Sequence, residues 1–510
     1  MRVQTVAIAC FALFLSFAQV ISAQSCATLV GTSTTVTSTA TLVFPSLTGP
    51  VVQIITTGPP FESPINVTLT TPGFTIVSLS PLHIQFTVTD TNGFTYTADV
   101  TFGVGGTLTI SRIVKTVTYS LNPPQIQVTA VMFNHKPQTL ANDDGLDIRY
   151  DYQRSLRFQR PNPPPAGNLP AGNVGEWTLA PANAEPALWV ANKAVTIKAR
   201  FTVNTNAVTS ADLSAIAVGG FIPNVLTKTV NFVNSVSANP AYVEFNLSRN
   251  TDDFVNRVTD SWQWKATNLN GCGGVPVNIN ASGPHRLYTV LDTPTAPWYS
   301  GAPNQQPWVS ALDLAIVRAG TIGIMTIPSA ATQLTTFLHG YYGLTYDTIR
   351  GAPRYILSNN VVTTVTYWLS GLIAKAKTVV NCYDEGGGVA ILTNLLGGSA
   401  EYHFMQPFGY INTTILVGGI TTNNPFFRSN SSARIIGGAP PPCVAPRTSF
   451  GNHVFDILGG KTYDATAGPH TGTENVNQYI ASTIQAVGMN CAASAGNASN
   501  VRAQATLTLK

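Results

Sequence analysis

From Leu29 to about Phe133 apolar and polar residues alternate with a period of two, as in His83-Ile84-Gln85-Phe86-Thr87-Val88-Thr89, where Ile84, Phe86 and Val88 share one face. Such a run predicts a half-buried strand. Asp90-Thr91-Asn92-Gly93 then supplies turn chemistry before Phe94–Val100, so the two runs read as a hairpin in a Thr-rich β domain. The alternation returns at Val195–Val203 and near Tyr242–Leu247, Ser261–Lys265 and Arg286–Leu291, the spacing of a second β-sandwich. Between them, Pro161-Asn162-Pro163-Pro164-Pro165-Ala166-Gly167 cannot continue a ladder, because proline lacks the N–H group, and reads as a stiff linker.

A helical period enters only afterwards. Trp308, Leu312, Ala315 and Ile316 mark one apolar face, as do Val361, Val365, Trp368, Leu369 and Leu372. Near the end, Thr471-Gly472-Thr473-Glu474 has capping-box spacing before a stripe of Val476, Tyr479, Ile480, Thr483, Ile484 and Val487 that Gly488 ends. The predicted fold class is therefore multidomain: N-terminal all-β, sandwich-like modules followed by an α+β domain. The expected divisions are a signal peptide at 1–23, a Thr-rich β domain at 24–135, a Pro-rich linker at 136–190, a second β-sandwich at 191–293 and the α+β domain at 294–510.

Composition narrows the function classes. Only 10% of the 510 residues are charged and the net charge is +4, which excludes a coiled coil, a charged disordered tail and a polybasic nucleic-acid binder. No nucleic-acid partner is expected. Arg2 followed by the apolar run Val6–Val20 and Ile21-Ser22-Ala23 has the form of a secretory signal peptide. No later apolar stretch is long enough to span a membrane, and Lys510 follows no hydrophobic tail, so the mature protein is expected to be secreted, extracellular or at the cell surface. Sequons at Asn66, Asn246, Asn280, Asn412, Asn430 and Asn497 permit glycosylation. Of six cysteines, Cys10 leaves with the signal, so an odd number remains and at least one is free or paired between chains. Cys382 is expected to be the free one, with Cys443–Cys491 as the bridge on the ground that both lie in the C-terminal domain.

Metal and nucleotide motifs fail: there is no Cys-x-x-Cys, His-Glu-x-x-His or Gly-x-Ser-x-Gly, and Asn142-Asp143-Asp144-Gly145 lacks a first calcium ligand. No cofactor or metal is expected. One constellation remains. Asn381-Cys382-Tyr383-Asp384-Glu385-Gly386-Gly387-Gly388 precedes the apolar run Val389–Leu396 and Gly397-Gly398, which puts Cys382 near the start of a helix, where a thiolate is favoured. Three successive glycines each cost about 1 kcal/mol against alanine, so something should approach that backbone closely. A second motif is the hairpin His453–Leu458, Gly459-Gly460, Lys461–Thr466. With a two-residue turn, Leu458 pairs with Lys461, Asp464 lies diagonal to His453 on the same face, and Asp456 falls on the other face, expected to be exposed to solvent. Asp464 would then orient His453 and leave its second ring nitrogen for the thiol. His403 and His470 are the alternative bases.

The order of a cysteine at a helix start, a helix ending in Leu395-Leu396-Gly397, a Phe408–Ile411 strand, a histidine on a hairpin and an aspartate on its return strand resembles the transglutaminase-like superfamily, a papain-related Cys-His-Asp core. The β domain ending near His285–Tyr288 resembles the Ig-like module that often precedes this core. The resemblance implies Cys382 as nucleophile, His453 as base and Asp464 as orienting acid, in acyl transfer from an amide of a protein or peptide substrate, with cell-wall or matrix components among the expected partners. Trp368 is the candidate for the oxyanion-stabilising aromatic. The alternative is a non-catalytic adhesion glycoprotein of the cell surface or wall whose terminal domain is an inactive scaffold.

Overall fold

The computed structural model describes residues 124–133, 144–156, 175–204, 208–233, 242–271, 277–300, 304–357, 364–428, 434, 447–485, 495–502 and 505–510, together with the backbones of strands between 35 and 116 and of 236–237. The expected signal peptide, the Pro161–Gly167 run and the expected Cys443–Cys491 bridge lie outside the described residues.

Threonine-rich alternation produces an antiparallel sheet at the N-terminal end, in which Leu82–Thr89 and Thr95–Gly103 form the expected hairpin with Ile84 opposite Val100. Strands Val51–Gly58 and Phe61–Thr70 make a separate hairpin. The next unit is one continuous path of hydrogen-bonded strands from Asn183–Ala184 through Ile126–Met132, Thr196–Val203, Ser210–Ala217, Asn256–Thr267 and Val277–Val290 to Ala187–Val190. Its strands share one core around Phe201, Phe245, Trp262 and Trp264. Both tryptophans are fully buried, and their indole N–H groups donate to the Pro223 carbonyl and Ser282 Oγ, so neither is free for stacking on a sugar. Asn280 spends its side chain on the Val128 backbone, accepting from its N–H at 3.0 Å and donating to its carbonyl at 3.1 Å.

Two expected boundaries are corrected. Strand Ile126–Met132 pairs with Thr196–Val203 and belongs to the middle unit, and strands at 177–178, 183–184 and 187–190 lie within the stretch read as linker. Within that stretch, Leu146, Ile148 and Leu156 also enter the core of the C-terminal unit, and Arg149 donates its N–H to the Pro307 carbonyl and accepts at its own carbonyl from the Val309 N–H at the start of the first helix. The apolar residues that flank the proline run carry enough surface to be drawn out of water into that core. Nor does the chain divide sharply at 293, because Val190, Tyr288 and Val290 pack into the C-terminal core.

That C-terminal unit centres on a five-stranded sheet, ordered His470–Thr471, Lys461–Asp464, His453–Leu458, Glu401–Met405, Val501–Arg502. The helix Cys382–Leu395 packs on it, with helices Ile327–Thr336 and Val476–Thr483 nearby. Trp308 is the N-cap of a short helix Val309–Leu312 that widens into a π-turn to Arg318. Three local readings change. Thr364–Tyr367 is a strand paired with Thr506–Leu509, and only Leu369–Ile373 is helical, because the β-branched run takes a backbone partner that lies far off in sequence. Phe408–Ile411 forms only isolated bridges, Gly409 to Phe450 and Ile411 to Ile484. The last helix is capped by Asn475 and Gln478 instead of the upstream threonines and ends at Thr483, where Ile484 turns extended. Among the described residues no helix is long and apolar enough to cross a membrane. The protein is a β-rich chain of several units with few helices.

Candidate active site

Cys382 is the first residue of its helix. Asn381 caps it: the side-chain oxygen accepts from the N–H groups of Tyr383 and Asp384 at 3.1 and 3.3 Å, and Asp384 Oδ2 accepts in return from the Asn381 N–H at 3.1 Å. This reciprocal cap satisfies donors that a helix start leaves open. The same two side chains bind the segment before the sheet: Asn381 Nδ2 donates to the Gly351 carbonyl, while Arg354 and Tyr355 donate their N–H groups to Asp384. Burial pushes the Asp384 carboxyl up to about 6 despite those donors. Asp384 is thus a structural anchor for the cysteine.

The glycine triplet has a steric cause on each side. A Cβ on Gly386 would meet Val454 Cγ1 at 2.6 Å, one on Gly387 the Tyr367 ring at 2.5 Å, and one on Gly388 Leu338 Cδ1 at 3.1 Å. The helix is wrapped on three sides by core side chains, and Tyr367 donates its hydroxyl to the Asp384 carbonyl at 2.6 Å from within that packing. Close approach outweighs the intrinsic helix cost of glycine.

In the hairpin, Gly459 and Gly460 both adopt positive φ, 57° and 74°, and the pairs Leu458–Lys461, Ile457–Thr462 and Asp456–Tyr463 follow the register derived from the sequence. His453 Nε2 and Asp464 Oδ2 lie 2.8 Å apart, both groups buried. Asp464 Oδ1 accepts the Thr466 N–H at 2.7 Å, and Oδ2 also accepts the Tyr479 hydroxyl at 2.8 Å. The rings of Phe408 and Phe450 flank the imidazole at 4.6 and 5.0 Å. His453 Nδ1 has no hydrogen-bond partner. Burial works against a charged imidazole, but the Asp464 carboxylate and the neighbouring Cys382 thiol outweigh it and push His453 up to about 10. The same pairing holds Asp464 below the usual carboxylate range against its burial. The structure therefore brings Cys382, His453 and Asp464 together, with the aspartate on one ring nitrogen and the other unpartnered.

No family model matches the chain, and no curated protein matches it. Among solved structures it is similar to the crystal structure of red sea bream transglutaminase, with 8% sequence identity and a TM-score of 0.23, over 56% of this chain and 50% of that one. The chain thus spans about half the length of that structure. Likeness at this level equates no residues between the two chains.

The alternative bases are spent elsewhere. His403 faces Glu401 Oε2 at 2.8 Å and the Arg502 carbonyl at 3.2 Å, and His470 faces Glu474 Oε2 at 2.5 Å and Thr483 Oγ1 at 3.2 Å. Trp368 packs at a tilt against Tyr355, with ring centroids 6.1 Å apart, and lies over Gly371 at the start of its short helix. The aromatic groups that neighbour Cys382 are instead Tyr346, Tyr383, Tyr402 and Tyr479. Tyr402 is fully buried and its hydroxyl has no partner. It was missed because a tyrosine alternating on a strand carries no local signal of chemistry.

Asp456 is corrected. It does point away from Asp464, but under the cysteine helix and not into water: it is fully buried, neither oxygen has a hydrogen-bond partner, and Oδ2 would lie 3.8 Å from a Cβ on Gly386. Glu385 is likewise buried with both oxygens unpartnered. Burial, reinforced by the Asp464 charge, pushes both carboxyls well above their ordinary range, the Asp384 charge adding to the effect at Glu385. Among the described residues no three His, Cys, Asp or Glu side chains converge as a metal site.

Proposed function

We propose that the protein is a secreted thiol acyl-transfer enzyme acting on amides, with Cys382 as nucleophile, His453 as base and Asp464 as orienting acid in a transglutaminase-like C-terminal domain. The observation that carries this reading is the buried His453–Asp464 pair, whose free ring nitrogen lies in the neighbourhood of a thiol at a helix start. His453, raised to about 10, holds the proton of the thiol in a thiolate–imidazolium pair, and the thiolate attacks the carbonyl carbon of a carboxamide. The C–N bond then breaks, the imidazolium protonates the leaving nitrogen, and a thioester remains. Water completes a deamidation or amide hydrolysis; an amine completes a crosslink. The unpartnered Tyr402 hydroxyl is a donor for the oxyanion of the tetrahedral intermediate.

The test is mass spectrometry of the full chain incubated with a glutamine-containing peptide, with and without a primary amine. An acyl adduct on Cys382 and release of ammonia, both lost in Cys382→Ala, are expected. One observation favours a second reading, an inactive scaffold in an adhesion glycoprotein: Cys382 is only 3% exposed and His453 not at all. An inert Cys382 with no adduct and no alkylation in the folded protein would establish that reading.

A further inference from the structure

We infer that Tyr479 is a positioning residue for the His453–Asp464 pair, which rests on the assignment of His453 as the base. Tyr479 reaches the pair from a separate element, the helix Val476–Thr483, whose start is fastened by the Asn475–Gln478 cap. Its hydroxyl donates at 2.8 Å to Asp464 Oδ2, the oxygen that also lies 2.8 Å from His453 Nε2. The other oxygen, Oδ1, is held by N–H groups of the turn that follows Asp464, from Thr466 at 2.7 Å and Ala467 at 3.4 Å. The turn therefore fixes one end of the carboxylate, and Tyr479 supplies the remaining restraint at the end that meets the histidine.

The tyrosine ring is itself locked. It is fully buried, with Phe455 at 4.9 Å, His470 edge-on at 4.8 Å and Phe408 at 6.3 Å; Phe408 is the ring that packs on His453 at 4.6 Å. Burial and the facing carboxylate keep the phenol protonated, so it remains a donor. Because one oxygen serves two donors, the tyrosine O–H draws part of the negative charge away from the histidine contact. Without it the carboxylate would hold the imidazolium more tightly, and a more reluctant acid would protonate the leaving nitrogen less readily. The other titratable groups that sense Asp464 are His339 and His470 on the adjoining segments, Tyr346, and the buried Glu385 and Asp456. Among the described residues none of them hydrogen-bonds to its carboxylate oxygens, which are taken by His453, Thr466, Ala467 and Tyr479.

The experiment is a pH titration of the full chain labelled with ¹⁵N-histidine, followed by NMR, for wild type, Tyr479→Phe and Asn475→Ala. In Tyr479→Phe the His453 midpoint moves to higher pH, and kcat on a glutamine peptide falls about tenfold, the worth of one hydrogen bond to a charged group, with KM unchanged. Asn475→Ala weakens the same helix without touching Asp464, so it lowers the melting temperature and leaves the His453 midpoint in place. Should Tyr479→Phe not fold, 3-fluorotyrosine at 479, a stronger donor of the same shape, moves the midpoint to lower pH. A folded Tyr479→Phe or fluorotyrosine protein with the wild-type midpoint overturns the inference. The titration needs no turnover, so an inactive wild type would refute acyl transfer while the His453 midpoint still decides the role of Tyr479.

Discussion

Asp456 and Asp464 stand on neighbouring strands of one hairpin and are chemically identical, but the sheet sends them to opposite faces and their surroundings make them different groups. Asp464 meets an imidazole, a phenol and two backbone N–H groups and is held ionised; Asp456 meets apolar helix backbone and is held neutral. Asp464→Asn should present an amide N–H to His453 Nε2, stabilise the wrong tautomer and lower turnover on amides by about a thousandfold or more, as steady-state kinetics would show. Asp456→Asn should leave turnover nearly unchanged and act on stability. A carboxyl raised in the folded state binds more protons there than in the unfolded chain, so its contribution falls as pH rises from the ordinary 3.8 through the raised value. Thermal melts from pH 4 to 8 should thus show Asp456→Asn gaining on wild type as pH increases. His453 adds a separate alkaline loss: its contribution is full below 6.5 and disappears as pH rises through about 10.

At the scale of elements, the cysteine helix is placed by fit more than by propensity. Asn381 and Asp384 fasten its start to the 351–355 segment, while Gly386, Gly387 and Gly388 let it sink against the sheet and the Tyr367 strand. Gly387→Ala gains about 1 kcal/mol of helix propensity but drives a methyl into a fully buried tyrosine ring whose hydroxyl is already bonded. Overpacking of this kind costs about 1 to 3 kcal/mol, so a net loss of stability is expected in chemical denaturation. The displaced helix start should also slow any reaction at Cys382. The glycine run announced the close approach in the sequence; which side chains do the crowding depended on strands that arrive from elsewhere in the chain.

For the whole molecule, the C-terminal unit is built partly from residues far upstream. Leu146, Ile148, Leu156, Leu188 and Val190 belong to its core, and Ala187–Val190 runs parallel to Leu287–Val290 as the edge strand that joins the two units. A chain trimmed to 191–510, the division suggested by the proline run, should therefore melt lower and aggregate more readily than one trimmed to 124–510. Differential scanning fluorimetry and light scattering on the two would show it, because the shorter chain exposes apolar surface that Leu146, Ile148, Leu156, Leu188 and Val190 cover. Equal stability of the two would mean that the upstream segment is only draped over the core.

Much of the site's local grammar was written in the sequence alone. The two-glycine turn set the hairpin register, the register set which aspartate shares a face with His453, and the apolar run that follows set Cys382 near a helix start. These are short-range consequences of backbone geometry, decided by φ values and side-chain alternation within a dozen residues. What the sequence could not decide depended on pairings across long separations. Tyr479 reaches Asp464 from another helix, Tyr367 crowds Gly387 from a strand that pairs with the last residues of the chain, and Asp456 is buried because a helix seventy positions earlier settles on its face. Burial is a property of what packs on top, and no local pattern states what that will be. The hairpin register thus made Asp464 the partner for His453, whereas tertiary structure alone turned Asp456 into a neutral acid in the core.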